Sequence, residues 1–350
     1  MNSTMLPLVI SIFESILLGI VLAFITGRIG MWFARRTGLM DVPGKLPHKQ
    51  HAEPVALAGG LTLFPALVIG FLIFRADLSE FWNLLLPVGI VFLTGLVDDY
   101  RPLPYAVKLA GQFVAAGLLV ASGFQVTFLK PDLLPLAPAI LGALNLIITL
   151  LWLAGTSNAF NFVDSMDGLA TGTAAIVGTF LAVASLFSGQ LELARLMGLL
   201  VGICLVLYFL NLSPARLFLG DAGALTIGFL LAAGAMIFAP KGFSQASSWF
   251  VPVMILGLPL FDMGLVIFSR VRRARPVYQA DRGHTYHRLI RLGFAPNRAI
   301  TLLHLVSVIL GCLAFVAMQF EPFVANAIFA AVLIVAFGVI LYLDHPARWS

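Results

Sequence analysis

Long apolar runs separated by short polar segments extend along the whole chain. The runs are continuous and roughly 17–21 residues long, which is about the length that a helix needs to cross a bilayer. A membrane β-barrel would instead show alternating segments of about ten residues. The pattern therefore predicts an all-α polytopic membrane protein, with one domain over residues 1–350 and a bundle of about eleven transmembrane helices. The predicted spans are 7–27, 55–74, 81–97, 106–123, 138–155, 169–188, 195–211, 224–240, 250–269, 299–319 and 323–343.

Composition supports a membrane protein over a soluble one. Of the 350 residues, 60% are hydrophobic and 11% are charged, whereas soluble domains carry about 25% charged residues. The first basic residue is Arg28, so the first apolar run lacks the positive segment that begins a secretory signal peptide. We interpret that run as a spanning helix. The lipid bilayer is thus an expected partner, and nucleic acid is not.

The basic residues predict the orientation of the chain. Seventeen of the 21 lysines and arginines fall in segments on one side of the predicted bundle, and four fall on the other. Loops rich in lysine and arginine remain in the cytoplasm. The N-terminus is therefore expected outside, and the odd number of spans then puts the C-terminus in the cytoplasm.

Five aspartates fall on that same basic side, at or near the ends of predicted spans. Carboxylates at membrane depth are costly and usually functional. The adjacent pair Asp98 and Asp99 is tolerated if water, a basic partner or a divalent cation neutralises it, and Mg²⁺ suits oxygen ligands of this kind. A solvated helix end is the alternative interpretation. The five residues are Asp98, Asp99, Asp164, Asp167 and Asp221.

A second polar cluster lies between the fifth and sixth spans. Asn158, Asn161, Asp164 and Asp167 are spaced by three, so they would share one face of a helix or form a polar cluster in a loop. Amides and carboxylates can bind a base or ribose as well as a metal. The alternative is a turn that caps the sixth helix, but a cap needs only one such residue.

The segment around Gly220 and Asp221 combines a glycine turn with the start of a helix. Backbone N–H groups at a helix start favour phosphate, and the carboxylate can hold its Mg²⁺. A simple helix cap is again the alternative.

Two basic segments could bind a polyanion. Arg282, His284, His287 and Arg288 lie in the longest loop of the basic side, and arginine forms bidentate pairs with phosphate. A zinc site is disfavoured, because both cysteines lie inside spans and no Glu separates the histidines. Anionic lipid headgroups are the alternative ligand. The segment with Lys49 and His51 is a similar basic loop, which by itself also fits a purely topogenic role.

Taken in order, these motifs resemble the polyprenyl-phosphate N-acetylhexosamine-1-phosphate transferase superfamily. The resemblance extends from Asp41 to about Arg298 and favours the undecaprenyl-phosphate N-acetylglucosamine-1-phosphate transferase branch of glycosyltransferase family 4. Phospho-N-acetylmuramoyl-pentapeptide transferase is a more distant relative. The resemblance implies transfer of a sugar-1-phosphate from a UDP-N-acetylhexosamine to undecaprenyl phosphate, at the cytoplasmic face of a bacterial inner membrane.

The resemblance also implies roles for individual residues and a cofactor, Mg²⁺ with Mn²⁺ as an alternative. In relatives the phenylalanine that matches Phe218 stacks on uracil, and the aspartate that matches Asp221 holds the metal. The implied metal ligands are Asp99 and Asp221. The implied catalytic residues are Asp98, Asp99, Asp164, Asp167, His284 and His287. The implied substrate-binding residues are Lys49, His51, Asn158, Asn161, Gly168, Phe218, Arg282 and Arg288.

Three residues depart from the family pattern. Ser165 stands where the family usually has glycine, Tyr286 replaces the middle histidine of a His-x-His-His loop, and His48 replaces arginine. These differences leave open a 6-deoxy or 4-epimeric donor in place of UDP-N-acetylglucosamine. A homodimer, the downstream polymer and a two-step reaction through an aspartyl intermediate also stay open. An ion-coupled transporter is the remote alternative, which predicts acids near the bilayer midplane.

Overall fold

The computed structural model describes residues 5–42, 53–74, 79–130, 134–239, 244–276 and 283–345. Helices make up most of these residues, as the apolar runs predicted. The first half of the chain contains α1 (Met5–Thr37), α2 (Gly59–Ile73), a 3₁₀ turn (Ser79–Leu84), α3 (Leu85–Tyr100), α4 (Tyr105–Ala121) and α5 (Pro138–Val163). The second half contains α6 (Leu169–Phe187), α7 (Leu191–Asn211), α8 (Gly220–Ile237), α9 (Gln245–Ser248), α10 (Val251–Ile255), α11 (Gly257–Arg272), α12 (Thr285–Arg291), α13 (Pro296–Ala317) and α14 (Pro322–Leu343).

Eight of the helices in the described ranges are long and apolar enough to cross a membrane, and there are nine if one bent pair counts as a span. The bent pair joins residues Ala246–Ile255 to α11 at an angle of 72°. The shorter apolar helices α2 and α4 lie in two further predicted spans. The protein is thus a polytopic membrane protein. The count of about eleven and the orientation of the termini stay predictions.

Helices α6, α7 and α8 form the interior of the bundle. Between 72% and 78% of the residues in their apolar windows are buried, against 11% for α14. Small residues allow the close approach that stabilises helix pairs in lipid. A Cβ added to Gly202 of α7 would lie 2.1 Å from the carbonyl oxygen of Ile16, so α1 and α7 pack with their backbones nearly in contact.

Three very short strands correct the all-α prediction to a nearly all-α fold. Strand β1 (Met40–Asp41) pairs antiparallel with β2 (Val55–Leu57), and β2 pairs parallel with β3 (Leu217–Phe218). Strands of two or three residues are too short to give a period-2 pattern. Because β2 and β3 are separated by about 160 residues, local sequence cannot reveal their pairing. The strands connect the segment that follows α1 to the segment that directly precedes α8.

Two helices extend beyond the predicted spans and change where the polar motifs lie. Helix α5 continues to Val163, eight residues past its predicted end, so Asn158 and Asn161 are helical. Helix α8 begins at Gly220 rather than at residue 224, so Asp221 lies in its first turn. The polar residues at these helix ends lower local hydropathy without ending the helix, because polar groups there have partners in the tertiary structure.

Candidate functional site

Three helix ends meet to form the candidate site: the C-terminal ends of α3 and α5 and the N-terminal end of α8. Glycines allow this contact. A Cβ added to Gly95 of α3 would lie 2.5 Å from the backbone nitrogen of Ala222, and one added to Gly228 of α8 would lie 2.7 Å from the Cα atom of Ser157 in α5. The hydroxyl of Ser157 also donates to the carbonyl oxygen of Leu225 at 2.8 Å. Close packing thus brings the predicted acidic motifs together.

The contact at Gly95 yields a first prediction. Gly95→Ala is expected to lower the free energy of unfolding by about 1–3 kcal/mol, the usual effect of overpacking, and to reduce activity because Asp99 lies one turn further along α3. Thermal unfolding in detergent and a turnover assay measure the two effects. Gly142→Ala in α5 is the matched control, since its added Cβ meets nothing within 4 Å. Equal melting temperatures for Gly95→Ala and the control would contradict the close α3–α8 packing.

Asp99 joins α3 to the first turn of α8. Its two carboxylate oxygens accept hydrogen bonds from the backbone N–H groups of Asp221 at 2.8 Å and Ala222 at 3.1 Å. A negative charge is favourable at a helix N-terminus, where N–H groups lack helical partners. Gly220 has φ +67°, and a Cβ there would lie 2.6 Å from an Asp99 oxygen. The glycine therefore provides both the left-handed turn and the space for the carboxylate.

Lys108 of α4 bridges the two acidic motifs, although it belongs to none of the predicted motifs. Its ammonium group lies 3.2 Å from Asp98 Oδ2 and 2.8 Å from Asp221 Oδ2. Asp98 also accepts the backbone N–H of Leu103 at 2.7 Å. The sequence contained a signal for this residue, since Lys108 lies inside a predicted apolar span, where a lysine is costly unless it has a partner or a function.

The two asparagines of the second motif lie on the last turns of α5. Asn161 Nδ2 donates to Asp221 Oδ1 at 2.9 Å, which links α5 directly to the start of α8. Asn158 Nδ2 donates to Gln112 Oε1 at 2.5 Å and to the carbonyl oxygen of Ala154 at 2.8 Å. Of the two predicted interpretations, the shared helical face is therefore correct for these residues.

The turn between α5 and α6 contains the remaining carboxylates of the motif, Asp164 and Asp167. Burial raises the pKa of Asp164 well above its ordinary value, and the negative charges of Asp221, Asp99 and Asp167 raise it further. Asp164 therefore lies within electrostatic reach of the cluster that contains Asp221. Such a concentration of acid favours a cation in the site.

Gly168 begins α6 with φ +80°, and no side chain caps this helix. The N–H of Gly168 donates to Asn211 Oδ1 at 2.8 Å, and Asn211 Nδ2 donates to the carbonyl oxygen of Leu217 at 3.1 Å. Asn211 therefore joins the acidic turn to β3, where Phe218 lies half-buried. The helix thus follows a glycine that provides no capping side chain, which disfavours the cap interpretation of this turn. The substrate-binding role of Gly168 stays a prediction.

The histidine segment packs beside the end of α5. The ring of His284 meets the ring of Phe162 edge-on at 5.6 Å between centroids, and the rings of His284 and His287 are 6.4 Å apart. Tyr286, in contrast, is buried in the hydrophobic core. Burial raises the pKa of Tyr286, and the negative charge of Asp167 adds to the effect. The tyrosine therefore replaces the middle histidine of the family pattern with a packing side chain.

Arg288 is 3% exposed, and its guanidinium faces the end of α14. It donates to the carbonyl oxygens of Gly283 at 2.7 Å and Leu343 at 3.0 Å, and to Asp344 Oδ1 at 3.0 Å. Asp344 also pairs with Arg272 at 2.8 Å and is 1% exposed. These contacts favour a structural role for Arg288 over direct phosphate binding. Lys49, His51 and Arg282 lie outside the described residues.

The donor set fits Mg²⁺ that binds together with substrate phosphates. Among the residues that the structure describes, no three His, Cys, Asp or Glu side chains form a group that could hold a metal by themselves. Mg²⁺ in phosphate-transferring enzymes is usually held by one or two carboxylates plus phosphate oxygens. Both oxygens of Asp99 accept backbone N–H groups of α8, whereas those of Asp221 accept the side chains of Asn161 and Lys108. Because side chains can turn away more easily than a helix backbone, Asp221 is the better placed metal ligand of the two.

The chain is similar to known proteins over most of its length. Residues 81–239, which include the Asp98, Asn158 and Asp221 motifs, match glycosyl transferase family 4. A Bacillus subtilis protein named as a probable undecaprenyl-phosphate N-acetylglucosaminyl 1-phosphate transferase is 28% identical, with 90% of this chain and 86% of the relative covered. The Escherichia coli K12 undecaprenyl-phosphate alpha-N-acetylglucosaminyl 1-phosphate transferase is 26% identical, with 87% and 83% covered. The decaprenyl-phosphate N-acetylglucosaminephosphotransferase of Mycobacterium tuberculosis H37Rv is 28% identical, with 91% and 85% covered.

Proposed function

We infer that this chain belongs to the polyprenyl-phosphate N-acetylhexosamine-1-phosphate transferase superfamily, which its motifs resemble and its relatives support, and its proposed reaction proceeds from that premise. The protein transfers N-acetylglucosamine-1-phosphate from UDP-N-acetylglucosamine to undecaprenyl phosphate and releases UMP. The observation that carries the proposal is the contact among Asp98, Lys108, Asp221 and Asn161, which joins three predicted motifs in one charged site. This would be the first membrane step in the synthesis of a cell-envelope polysaccharide.

The acceptor follows from the relatives and from the nature of the chain. The Bacillus subtilis and Escherichia coli relatives are named for undecaprenyl phosphate, and the mycobacterial relative is named for decaprenyl phosphate. A polyprenyl chain is soluble only in the bilayer, so a polytopic protein can present its phosphate to a site at the membrane surface. We expect that site on the cytoplasmic face of the inner membrane, because loops rich in lysine and arginine favour that side.

The proposed reaction forms one bond and breaks one bond at phosphorus. An oxygen of the acceptor phosphate attacks the phosphorus that carries the sugar, and the bond from that phosphorus to the UMP oxygen breaks. Phosphoryl-type transfer needs positioning and charge neutralisation more than covalent participation by the protein. Bound Mg²⁺, held by Asp221 and substrate oxygens, would supply Lewis-acid neutralisation of the diphosphate.

The protein's own residues then have distinct parts. Lys108 contributes a positive charge beside Asp98 and Asp221, where anionic phosphates must bind. Asp98 orients the acceptor phosphate, while Asp99 holds the first turn of α8 in place. Asn161, Asp164, Asp167 and Phe218 bind the nucleotide, and His284 and His287 bind phosphate. A covalent aspartyl intermediate stays open as a two-step alternative.

The donor is expected to be UDP-N-acetylglucosamine or a close UDP-N-acetylhexosamine, rather than the UDP-muramoyl-pentapeptide. The residues from Asp281 to Leu289 resemble the N-acetylglucosamine branch, which favours the first of these donors. Purified protein is supplied with undecaprenyl phosphate and a panel of UDP-sugars, including 6-deoxy and 4-epimeric donors, and UMP release is measured. Discrimination against an epimer depends on whether the site forms a hydrogen bond with the hydroxyl that differs.

The outcomes of this assay separate the donor from the reaction class. Faster turnover of the muramoyl-pentapeptide donor than of any simple UDP-N-acetylhexosamine would overturn the donor assignment and leave the reaction class intact. Absence of UMP release with every donor, from protein that is folded by its thermal unfolding profile, would overturn the proposed reaction. Protein without undecaprenyl phosphate is the control for acceptor-independent hydrolysis.

A further inference from the structure

A buried carboxylate that belongs to none of the predicted motifs contacts the histidine segment. Asp262 of α11 is 4% exposed. One of its oxygens lies 2.8 Å from His284 Nδ1, and the other accepts the backbone N–H of Thr285 at 2.6 Å. A charged group inside a bent, membrane-embedded helix pair is costly unless its partners compensate. Both oxygens of Asp262 are directed to the start of α12.

We propose that Asp262 is a positioning residue for the transfer reaction, which fixes the ring orientation and tautomer of His284. The proposal rests on the proposed function, in which His284 binds a substrate phosphate. A carboxylate at Nδ1 accepts a hydrogen bond, so Nδ1 carries a hydrogen and Nε2 is the ring nitrogen that remains for the substrate. When Nε2 also carries a hydrogen it donates to a phosphate oxygen, and the carboxylate of Asp262 balances the positive ring. Fixing a catalytic histidine through a carboxylate at its other nitrogen is a recurrent device in enzymes.

The surroundings of His284 limit its ring on a second side. Phe162 meets the ring edge-on at 5.6 Å between centroids. Phe162 directly follows Asn161, whose amide donates to Asp221 at 2.9 Å. The ring of His284 is therefore held between α11 and the end of α5 that contacts the acidic cluster. Small rotations of this ring would move Nε2 relative to the phosphates.

A second buried aspartate, Asp344, also contacts α12 and provides a comparison for Asp262. Asp344 is also buried, but it bonds to Arg288, Arg272 and Arg273 rather than to a histidine. Asp344→Asn is therefore a matched control. Both substitutions remove one buried negative charge next to α12, and only one of them removes the acceptor of a histidine ring.

The experiment is a double-mutant cycle on the full-length protein, with UMP release from UDP-N-acetylglucosamine as the readout. His284→Asn keeps an N–H at the position of Nδ1 and removes Nε2. Asp262→Asn alone is expected to lower kcat by about tenfold or more, the usual effect of losing a partner behind a catalytic histidine, with little change in KM for the donor. In the His284→Asn background the same change should cost less than about twofold, because the residues act as one unit. Asp344→Asn should lower activity by a similar factor in both backgrounds.

A second measurement does not depend on activity. In protein with ¹⁵N-labelled histidine, the signals lost in His284→Asn identify this ring, and their shifts report which nitrogen carries the proton. We expect protonation at Nδ1 in the wild type and a changed tautomer in Asp262→Asn. A wild-type His284 ring without a proton on Nδ1 would overturn the positioning role. The same conclusion would follow if the loss of kcat in the double variant equalled the product of the losses in the two single variants. A wild type with the expected tautomer but no UMP release would overturn the proposed function instead.

Discussion

Asp221→Asn is expected to lower the turnover number by about 10²-fold or more, the usual effect of removing one group that stabilises charge in a transition state. Asp221 accepts from Lys108 at 2.8 Å and from Asn161 at 2.9 Å, so it connects α4 and α5 to the start of α8. Asparagine has nearly the same shape but lacks the negative charge that attracts Lys108 and a cation. UMP release by purified variant and wild type measures the change.

A carboxylate far from the site provides the control for Asp221→Asn. Glu321 precedes α14 and is exposed, so Glu321→Gln removes the same charge and should leave turnover unchanged. Asp98→Asn and Asp99→Asn are expected to lose activity to a similar degree. Asp99→Asn should also lower the melting temperature, because its carboxylate accepts two backbone N–H groups of α8. Near-normal turnover of all three aspartate variants would contradict the charged site described above.

Removal of divalent cations is expected to abolish activity completely. Asp164, Asp221, Asp98 and Asp99 concentrate negative charge at one place, and Lys108 is the cation seen beside two of them. A diphosphate substrate brings further negative charge, so a hard cation is needed to neutralise the bound complex. The measurement is UMP release after dialysis against excess EDTA, followed by titration with Mg²⁺ and, separately, with Mn²⁺.

The control for metal removal is EDTA that has been saturated with Mg²⁺ beforehand. The chelator is then present in the same amount but no longer removes Mg²⁺ from the protein. Recovery of turnover on adding Mg²⁺ shows that the protein stayed folded during the treatment. Full activity in excess EDTA would contradict the need for a cation. Lys108 would then be the main group that neutralises the diphosphate.

The sequence predicted which residues belong to the site better than it predicted how they are arranged. Asp98, Asp99, Asn161 and Asp221 were predicted from spacing and from the cost of carboxylates near a membrane. Lys108 was visible as a lysine inside an apolar run, but its partners lie 10 and 113 residues away. Nothing in local sequence indicates such partners, because they depend on which helices pack together.

The roles of three buried polar residues could not be predicted from the sequence, for a related reason. Asp262, Asn211 and Asp344 carry no motif, and each lies at the end of a helix or inside one. Their importance comes from what they contact: His284, the N–H of Gly168 and the guanidinium of Arg288. A buried polar group is retained only with partners, and the partners here are supplied by other helices.

The sequence by itself determined that the protein is a helical membrane protein with acidic motifs at its helix ends, because length and apolar content of each run are local properties. The tertiary structure alone decided that Asp99 holds the first turn of α8, that Lys108 lies between Asp98 and Asp221, and that Arg288 faces Asp344. The first two pairings depend on the backbone approach of α3 to α8 at Gly95. Such an approach is set by the packing of side chains from distant parts of the chain, which no local pattern records.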